Sequence, residues 1–111
     1  MPEEIWEKAL KDFIEALRQL YGKNLKQVIM YGSRAREDWQ EGSDIDLLVV
    51  LESLDDFWKE LHSLQEVAYD LERRYDYGFL LCALPISQEE YQRRNSPFLL
   101  NVRREGIAVH E

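Results

Sequence analysis

Apolar residues recur along this chain in two spacings, one typical of helices and the other of strands. Between Glu3 and Tyr21 they fall at steps of three and four residues, which predicts a helix with one buried face. The segment Ile107–Val109 predicts a terminal edge strand. Three other short apolar runs predict strands, the last of them ended by Pro85: Leu25–Tyr31, Asp44–Leu51 and Phe79–Leu84.

Capping patterns mark the starts of the later helices. A serine can accept a hydrogen bond from a backbone N–H of the first helical turn, and an acidic residue or a proline often follows it there. Three such patterns occur: Ser53 with Asp56, Ser87 with Glu90, and Ser96 before Pro97. The order of helix, strand, strand, helix, strand and helices predicts an α/β (α+β) fold, with one sheet covered by helices.

Length and composition narrow the class further. With 111 residues, 45% of them hydrophobic, residues 1–111 are expected to form a single domain with a real core. The net charge of −8 argues against direct nucleic-acid binding and favours a basic protein partner. No apolar run is long enough to span a membrane, and the acidic N-terminus lacks the features of a secretory signal. Together with a single cysteine, Cys82, this indicates a cytoplasmic protein.

Two aspartates stand at the start of the second predicted strand. Because side chains alternate along a strand, Asp44 and Asp46 point to the same face, with Cα atoms roughly 6.5 Å apart, and Ile45 points to the other. Carboxylates this close repel each other unless a cation neutralises them. Mg²⁺ or Mn²⁺ meets that need and can also hold a nucleotide's phosphates. The alternative is an ordinary turn followed by a solvated strand end.

A Gly-Ser turn precedes these aspartates and favours the metal interpretation. Gly32 lets a phosphate approach the backbone without meeting a Cβ, and Ser33 offers a hydroxyl. Arg34 and Arg36 can reach phosphate oxygens, or else pair with the acidic residues that follow, Glu37 and Asp38. A glycine, a hydroxyl and two carboxylates in this order together suggest phosphoryl or nucleotidyl transfer.

These segments together resemble a known signature. Gly32-Ser33, ten intervening residues and then Asp44-Ile45-Asp46 look like the motif of the minimal nucleotidyltransferases, in the DNA polymerase β superfamily. The likeness extends to Arg34-Ala35-Arg36 after the serine, to Ser43 before the first aspartate, and more loosely to the C-terminal run from Ser96 to Ile107. The resemblance implies a nucleotidyltransferase-like fold, in which a small mixed sheet of three to four strands is covered by helices.

The resemblance also implies an activity and a partner. Gly32 and Ser33, with Arg34 or Arg36 beside them, would bind the phosphates of ATP or another nucleoside triphosphate. Asp44 and Asp46 would hold Mg²⁺ (or Mn²⁺) as the catalytic cation. Small members of the family are often antitoxins paired with a HEPN-type helical toxin, and some transfer AMP from ATP onto a toxin tyrosine. We therefore expect transfer to a protein hydroxyl or, as the alternative, an inactive binding module that neutralises its partner by complex formation.

One part of the family pattern is missing. Active members usually carry a third carboxylate in the neighbouring strand, and residues 79–84 contain no acid. Asp76 is the nearest acid and a candidate third catalytic residue, although a solvated position at a helix end fits it as well. Cys82 is interpreted as a small buried hydrophobe.

Two further features involve large apolar side chains. Trp39 is expected either to stack on a base or to pack over the sheet edge. A helix can bury only part of the apolar run Phe98-Leu99-Leu100, so the remainder is expected to meet another subunit in a homo- or hetero-oligomer.

Overall fold

The computed structural model describes residues 5–36 and 44–111, which form both helices and strands. The helices are α1 Ile5–Tyr21, α2 Ser33–Arg36, α3 Phe57–Arg74, α4 Gln88–Arg93 and α5 Pro97–Glu105. The strands are β1 Leu25–Tyr31, β2 Ile45–Leu51, β3 Leu81–Ser87 and β4 Ile107–His110. Among these elements, no helix has the length and apolar character that crossing a membrane requires. The mixed α/β class predicted from the sequence is confirmed.

The strands form one four-stranded mixed sheet in the order β3-β2-β1-β4. β1 runs antiparallel to both β2 and β4, whereas β2 and β3 are parallel. A parallel pair needs a crossover connection, and α3 supplies it between β2 and β3. The last strand, β4, lies at the sheet edge, as the sequence predicts for Ile107–Val109.

The two faces of the sheet carry two separate hydrophobic clusters. On one face, Ile45, Leu47 and Val49 of β2 pack against buried residues of α1 and α3. On the other, Leu48 and Val50 pack against the shorter helix α5. The predicted alternation of β2 is therefore confirmed, and it places Asp46 on the same face as Leu48 and Val50, ahead of the part that α5 covers. Within α5 the apolar run is divided as expected, because Leu99 is buried while its two neighbours are exposed.

The third strand differs from its prediction at both ends. It runs over Leu81–Ser87 and passes through Pro85, whereas the sequence predicted Phe79–Leu84 with the proline as a stop. The Leu80 carbonyl accepts a hydrogen bond from the Ile45 N–H. The backbone N–H and C=O groups of every second residue from Leu80 therefore point toward β2, and the nitrogen of Pro85 points to the open edge of the sheet. A proline is tolerated there because no ladder hydrogen bond is lost.

A side chain of α3 forms a hydrogen bond with the first residue of β3. The Leu81 N–H, which also faces the open edge, donates to the Glu72 carboxylate at 2.8 Å. Phe79 packs into the larger core cluster instead of opening the strand.

Two of the three predicted helix caps are confirmed. The hydroxyl of Ser87 accepts a hydrogen bond from the Glu90 N–H, and that of Ser96 accepts one from the Leu99 N–H. The first prediction is wrong by three residues, because Asp56 caps α3 by accepting from the Lys59 N–H. Ser53 instead donates its own N–H to the side-chain oxygen of Asn24, which joins the end of β2 to the turn before β1.

Gly106, between α5 and β4, tests how closely α5 packs on the sheet. A Cβ at this position would collide with the Val102 carbonyl and would lie 2.6 Å from Ile29 Cγ2. We expect Gly106→Ala to destabilise the protein by about 1–3 kcal/mol in urea unfolding, the usual cost of overpacking. Gly78→Ala is the matched control, since its Cβ would make an ordinary contact of 3.5 Å. Equal unfolding midpoints for the two variants would contradict this packing.

Candidate active site

Strand pairing assembles three polar side chains at one end of β2. Asp46 is paired with Cys82 of the parallel strand β3 and with Tyr31 of the antiparallel strand β1. Asp44 lies just before β2, and its Oδ2 is 3.8 Å from Cys82 Sγ. One ligand atom from each of Asp44, Asp46 and Cys82 lies within 4.8 Å of the other two. The paired aspartates and the thiol thus form one group, which we call the acid–thiol cluster.

The position of Cys82 corrects the sequence interpretation. It was expected to be a small buried hydrophobe, and it is exposed within the acid–thiol cluster. Its neighbours along the strand, Leu81 and Ala83, face the larger core, so Cys82 faces the side on which Asp46 lies. The alternation was visible in the sequence, but the register that sets Cys82 beside Asp46 was not.

Negative charge is unfavourable at Asp46, at Cys82 and at the neighbouring Tyr31. Burial and, after it, the charge of Asp44 raise the pKa of Asp46 above the ordinary aspartate value. Burial and the two carboxylates likewise raise the pKa of the Cys82 thiol. Burial, Asp46 and Cys82 raise the pKa of the Tyr31 hydroxyl to about 12. A cation bound between these groups would relieve the repulsion in every case.

Gly32 borders the cluster directly. Its φ of +77° is in the left-handed region, and a Cβ built on it would lie 2.5 Å from Asp46 Oδ2. The sequence suggested a glycine here so that a phosphate could approach the backbone. The structure adds a second reason, because only a residue without a Cβ leaves the Asp46 carboxylate in its place.

The two arginines after the turn lie in different environments. The guanidinium of Arg34 lies over the ring of Trp6 in α1, 4.9 Å from its centroid, and the residue is only 5% exposed. Arg36 is half-exposed and pairs with Glu105 of α5, with 3.5 Å between Nη1 and Oε2. The structure therefore brings Arg36, and not Arg34, to the α5 side of the Gly-Ser turn.

A cavity lies beside the Gly-Ser turn. It has a volume of about 170 Å³, and its lining includes Gly32, Arg36 and Glu105. Tyr31 also lines it, and its ring packs edge-on against Phe98 with centroids 5.3 Å apart. Arg36 thus lines a small space together with Gly32, the residue whose backbone lies against the Asp46 carboxylate.

Three predicted residues lie outside the assembled group or outside the described structure. Asp76 sits in the turn after α3, where its φ is +58°, and its carboxylate is not part of the acid–thiol cluster. Ser33 begins α2, but its side chain lies outside what the structure describes, as does all of Trp39.

Tyr31 and Glu105 also belong to this region, and neither is predicted from the sequence. Tyr31 could have been noticed because it directly precedes Gly32 at the end of a strand. Glu105 offered no comparable signal, since its contact with Arg36 joins residues far apart along the chain.

The donor groups fit a divalent cation. Two carboxylates face the same point, where they already repel each other, and Gly32 leaves that point open. Oxygen donors of this kind suit hard ions such as Mg²⁺ and Mn²⁺. In the described part of the chain, this is the one group of three or more ligating side chains close enough to share an ion.

Comparison with known families identifies the class of protein that this fold and site define. The family model described as "Nucleotidyltransferase domain" matches residues 10–99. The chain therefore belongs to the nucleotidyltransferase domain family. A relative from Methanocaldococcus jannaschii, named "Putative protein adenylyltransferase MJ0604", is 35% identical over 105 residues, which cover 94% of this chain and 97% of the relative. The family recognised in the sequence motif is thus confirmed, and the chain is similar to protein adenylyltransferases.

Solved structures confirm the fold. A crystal structure of a putative nucleotidyltransferase from Sulfolobus solfataricus matches with a TM-score of 0.58 at 20% identity, over 97% of this chain and 87% of that one. A complex of tri-AMPylated Shewanella oneidensis HEPN toxin with MNT antitoxin matches with a TM-score of 0.54 at 20% identity, over 92% and 69%. A toxin–antitoxin structure with AMP-PNP matches with a TM-score of 0.53 at 20% identity, over 88% and 70%. The four-stranded sheet covered by helices is therefore a nucleotidyltransferase fold.

Gly32→Ala tests whether the missing Cβ of Gly32 is needed for metal binding, apart from the backbone strain that the substitution causes. The new Cβ would push the Asp46 carboxylate away, so we expect Mn²⁺ binding, measured by calorimetry, to be lost. Gly22→Ala is the matched control, because Gly22 also has a positive φ of 56° but a Cβ there would have nothing within 4 Å. Both variants should lose about 1–2 kcal/mol of stability through backbone strain. Unchanged Mn²⁺ affinity in Gly32→Ala would refute the close contact.

The raised pKa of Asp46 predicts a dependence of stability on pH. An acid whose pKa is higher in the folded state stabilises the fold while protonated, and this contribution is lost as pH rises through the folded pKa. Ionised Asp46 therefore destabilises the protein at neutral pH. We expect Asp46→Asn to raise the urea midpoint at neutral pH but not below pH 3.8, the ordinary aspartate pKa. A midpoint shift that is the same at both pH values would contradict this assignment.

Proposed function

We propose that this protein is a Mg²⁺-dependent nucleotidyltransferase that moves AMP from ATP onto a hydroxyl group of a partner protein. The observation that carries the proposal is the meeting of Asp44 and Asp46 beside Gly32, in a chain of this family. The similarity to the archaeal protein adenylyltransferase favours AMP over other nucleotides. Mn²⁺ is the alternative cation, since the same oxygen donors accept it.

Each residue of the site has a distinct role in this proposal. Asp44 and Asp46 hold the cation, which when bound would neutralise phosphate charge and make the α-phosphate more electrophilic. Gly32 leaves room for the phosphates at the turn, and Ser33 offers them its backbone and hydroxyl.

Arg36 faces the charge that develops on the departing pyrophosphate, and Glu105 orients its guanidinium. The assignments of Arg34 to phosphate binding and of Asp76 to catalysis stay predictions, and the packing of Arg34 on Trp6 favours a structural role for it.

We further propose that the acceptor is a helical HEPN-type protein and that this chain acts as its antitoxin in the cytoplasm. The fold shared with an MNT antitoxin in complex with an AMPylated HEPN toxin supports this partner. The net charge of −8 is suited to a partner with a basic surface.

A second candidate function rests on Cys82. A thiol occupies the position of β3 that pairs with Asp46, and no acid of the neighbouring strand joins the aspartates. A neutral thiol is a poor general base, so the acceptor hydroxyl would lose its proton without assistance from this position. This observation favours a slow or inactive nucleotidyltransferase-fold module that neutralises its partner by covering it.

One experiment separates the two functions. The protein is incubated with Mg²⁺, ATP labelled at the α-phosphate, and a HEPN-type protein encoded beside it. For the enzyme we expect label on the partner, and Asp44→Asn should lower its rate of appearance at least about 100-fold, the scale of losing one electrostatic contact to a transition state. Asp55→Asn, in the exposed loop before α3, is the control and should retain the wild-type rate.

The outcome for the module is different. A complex that forms equally well with wild type and Asp44→Asn, without label on the partner, would replace the enzyme by the binding module. Label that persists at the wild-type rate in Asp44→Asn would contradict the proposed site.

A further inference from the structure

Cys82 gives the proposed metal site a ligand of a different chemical type from the two aspartates. It is paired with Asp46 across parallel strands, on the same face of the sheet, and its Sγ is 3.8 Å from Asp44 Oδ2. Both Asp44 and Cys82 are exposed, so an ion can reach them from solvent. The thiol is therefore within reach of any cation that the two carboxylates hold.

The spacing of these atoms suits a shared transition-metal ion. Bonds of about 2.3 Å to sulfur and about 2.0 Å to oxygen, at a tetrahedral angle, put the two ligand atoms roughly 3.5 Å apart. The distance between Sγ and Asp44 Oδ2 is close to this value, and all three ligand atoms lie within 4.8 Å of one another. A small side-chain movement is enough to bring the whole acid–thiol cluster into one coordination sphere.

The chemistry of the donors then separates two classes of metal. Hard ions such as Mg²⁺ take oxygen ligands, whereas thiolate ligands select softer ions such as Co²⁺, Zn²⁺ and Cd²⁺. From the cluster geometry we infer that Cys82 determines the metal selectivity of this site. It is the third ligand for thiophilic divalent ions, losing its proton to solvent as the sulfur–metal bond forms. With Mg²⁺ it stays outside the coordination sphere, and only the two aspartates bind the ion. This inference rests on the proposed metal site.

The single cysteine of the chain makes the inference directly measurable. A Co²⁺ ion bound through a thiolate has a sulfur-to-metal charge-transfer absorption in the near ultraviolet, and Cys82 is the one residue that can produce it here. We expect this band to grow to saturation when the untagged protein is titrated with Co²⁺. Cys82→Ser should abolish the band. It should also lower Co²⁺ affinity at least about tenfold, because loss of a residue that only supports a metal ligand already costs that much.

Mg²⁺ supplies the contrasting measurement. In calorimetry, Cys82→Ser should leave Mg²⁺ affinity unchanged, whereas Cys82→Asp should increase it, because a third carboxylate then faces the ion. Circular dichroism of both variants checks that the fold is retained. Mg²⁺ binding by Cys82→Ser with wild-type affinity would show that the two aspartates are still in place.

The possible failures are distinguishable. Co²⁺ binding without the band, abolished by Asp44→Asn, would overturn the role of Cys82 and leave the metal site standing. An equal loss of Mg²⁺ and Co²⁺ affinity in Cys82→Ser would also overturn the selectivity. No binding of either ion by the wild type would overturn both the inference and the proposed site.

Discussion

The repulsion between Asp44 and Asp46 is the physical constraint on which the proposed function of this protein depends. The start of β2 and the residue before it bring the two carboxylates together, and Gly32 approaches Asp46 so closely that no Cβ would fit between them. The neighbouring Tyr31 and Cys82 carry no positive charge that could offset the repulsion, and burial and Asp46 raise the pKa of both groups. The close carboxylates lower the stability of the folded protein, and a cation bound between them would restore it.

The destabilising carboxylates lie away from the packing interactions that stabilise the fold. On one face, α1 and α3 pack on the strands and form the larger cluster, with buried residues that include Phe13, Leu17 and Leu64. On the other face, α5 covers only the part of β2 that begins at Leu48. The beginning of the strand stays open on that face, and there Asp46 is partly buried while Asp44 is exposed. The core can therefore tolerate a charged, accessible site at its margin.

Cys82 is the point at which this chain departs from the family pattern implied by its motif. The nucleotidyltransferase model matches residues 10–99, a range that includes the Gly-Ser turn and the paired aspartates. The neighbouring strand, however, presents a thiol to the carboxylates instead of an acid. One side chain thus bears on two separate questions, the rate at which an acceptor hydroxyl could react and the identity of the ion that the site prefers.

The sequence by itself determined the local structure and the family. Hydrophobic period, helix capping and side-chain alternation each act over a few residues, so the sequence is enough to predict them. These local patterns gave the ends of β1, the caps at Ser87 and Ser96, and the shared face of Asp44 and Asp46. Only the tertiary structure decided which strand lies beside which, and in what register. That pairing placed Cys82 next to Asp46 and let β3 continue through Pro85 at an open edge. The packing of α1 and α5 likewise buried Arg34 on Trp6 and joined Arg36 to Glu105, since these contacts join residues far apart in the chain.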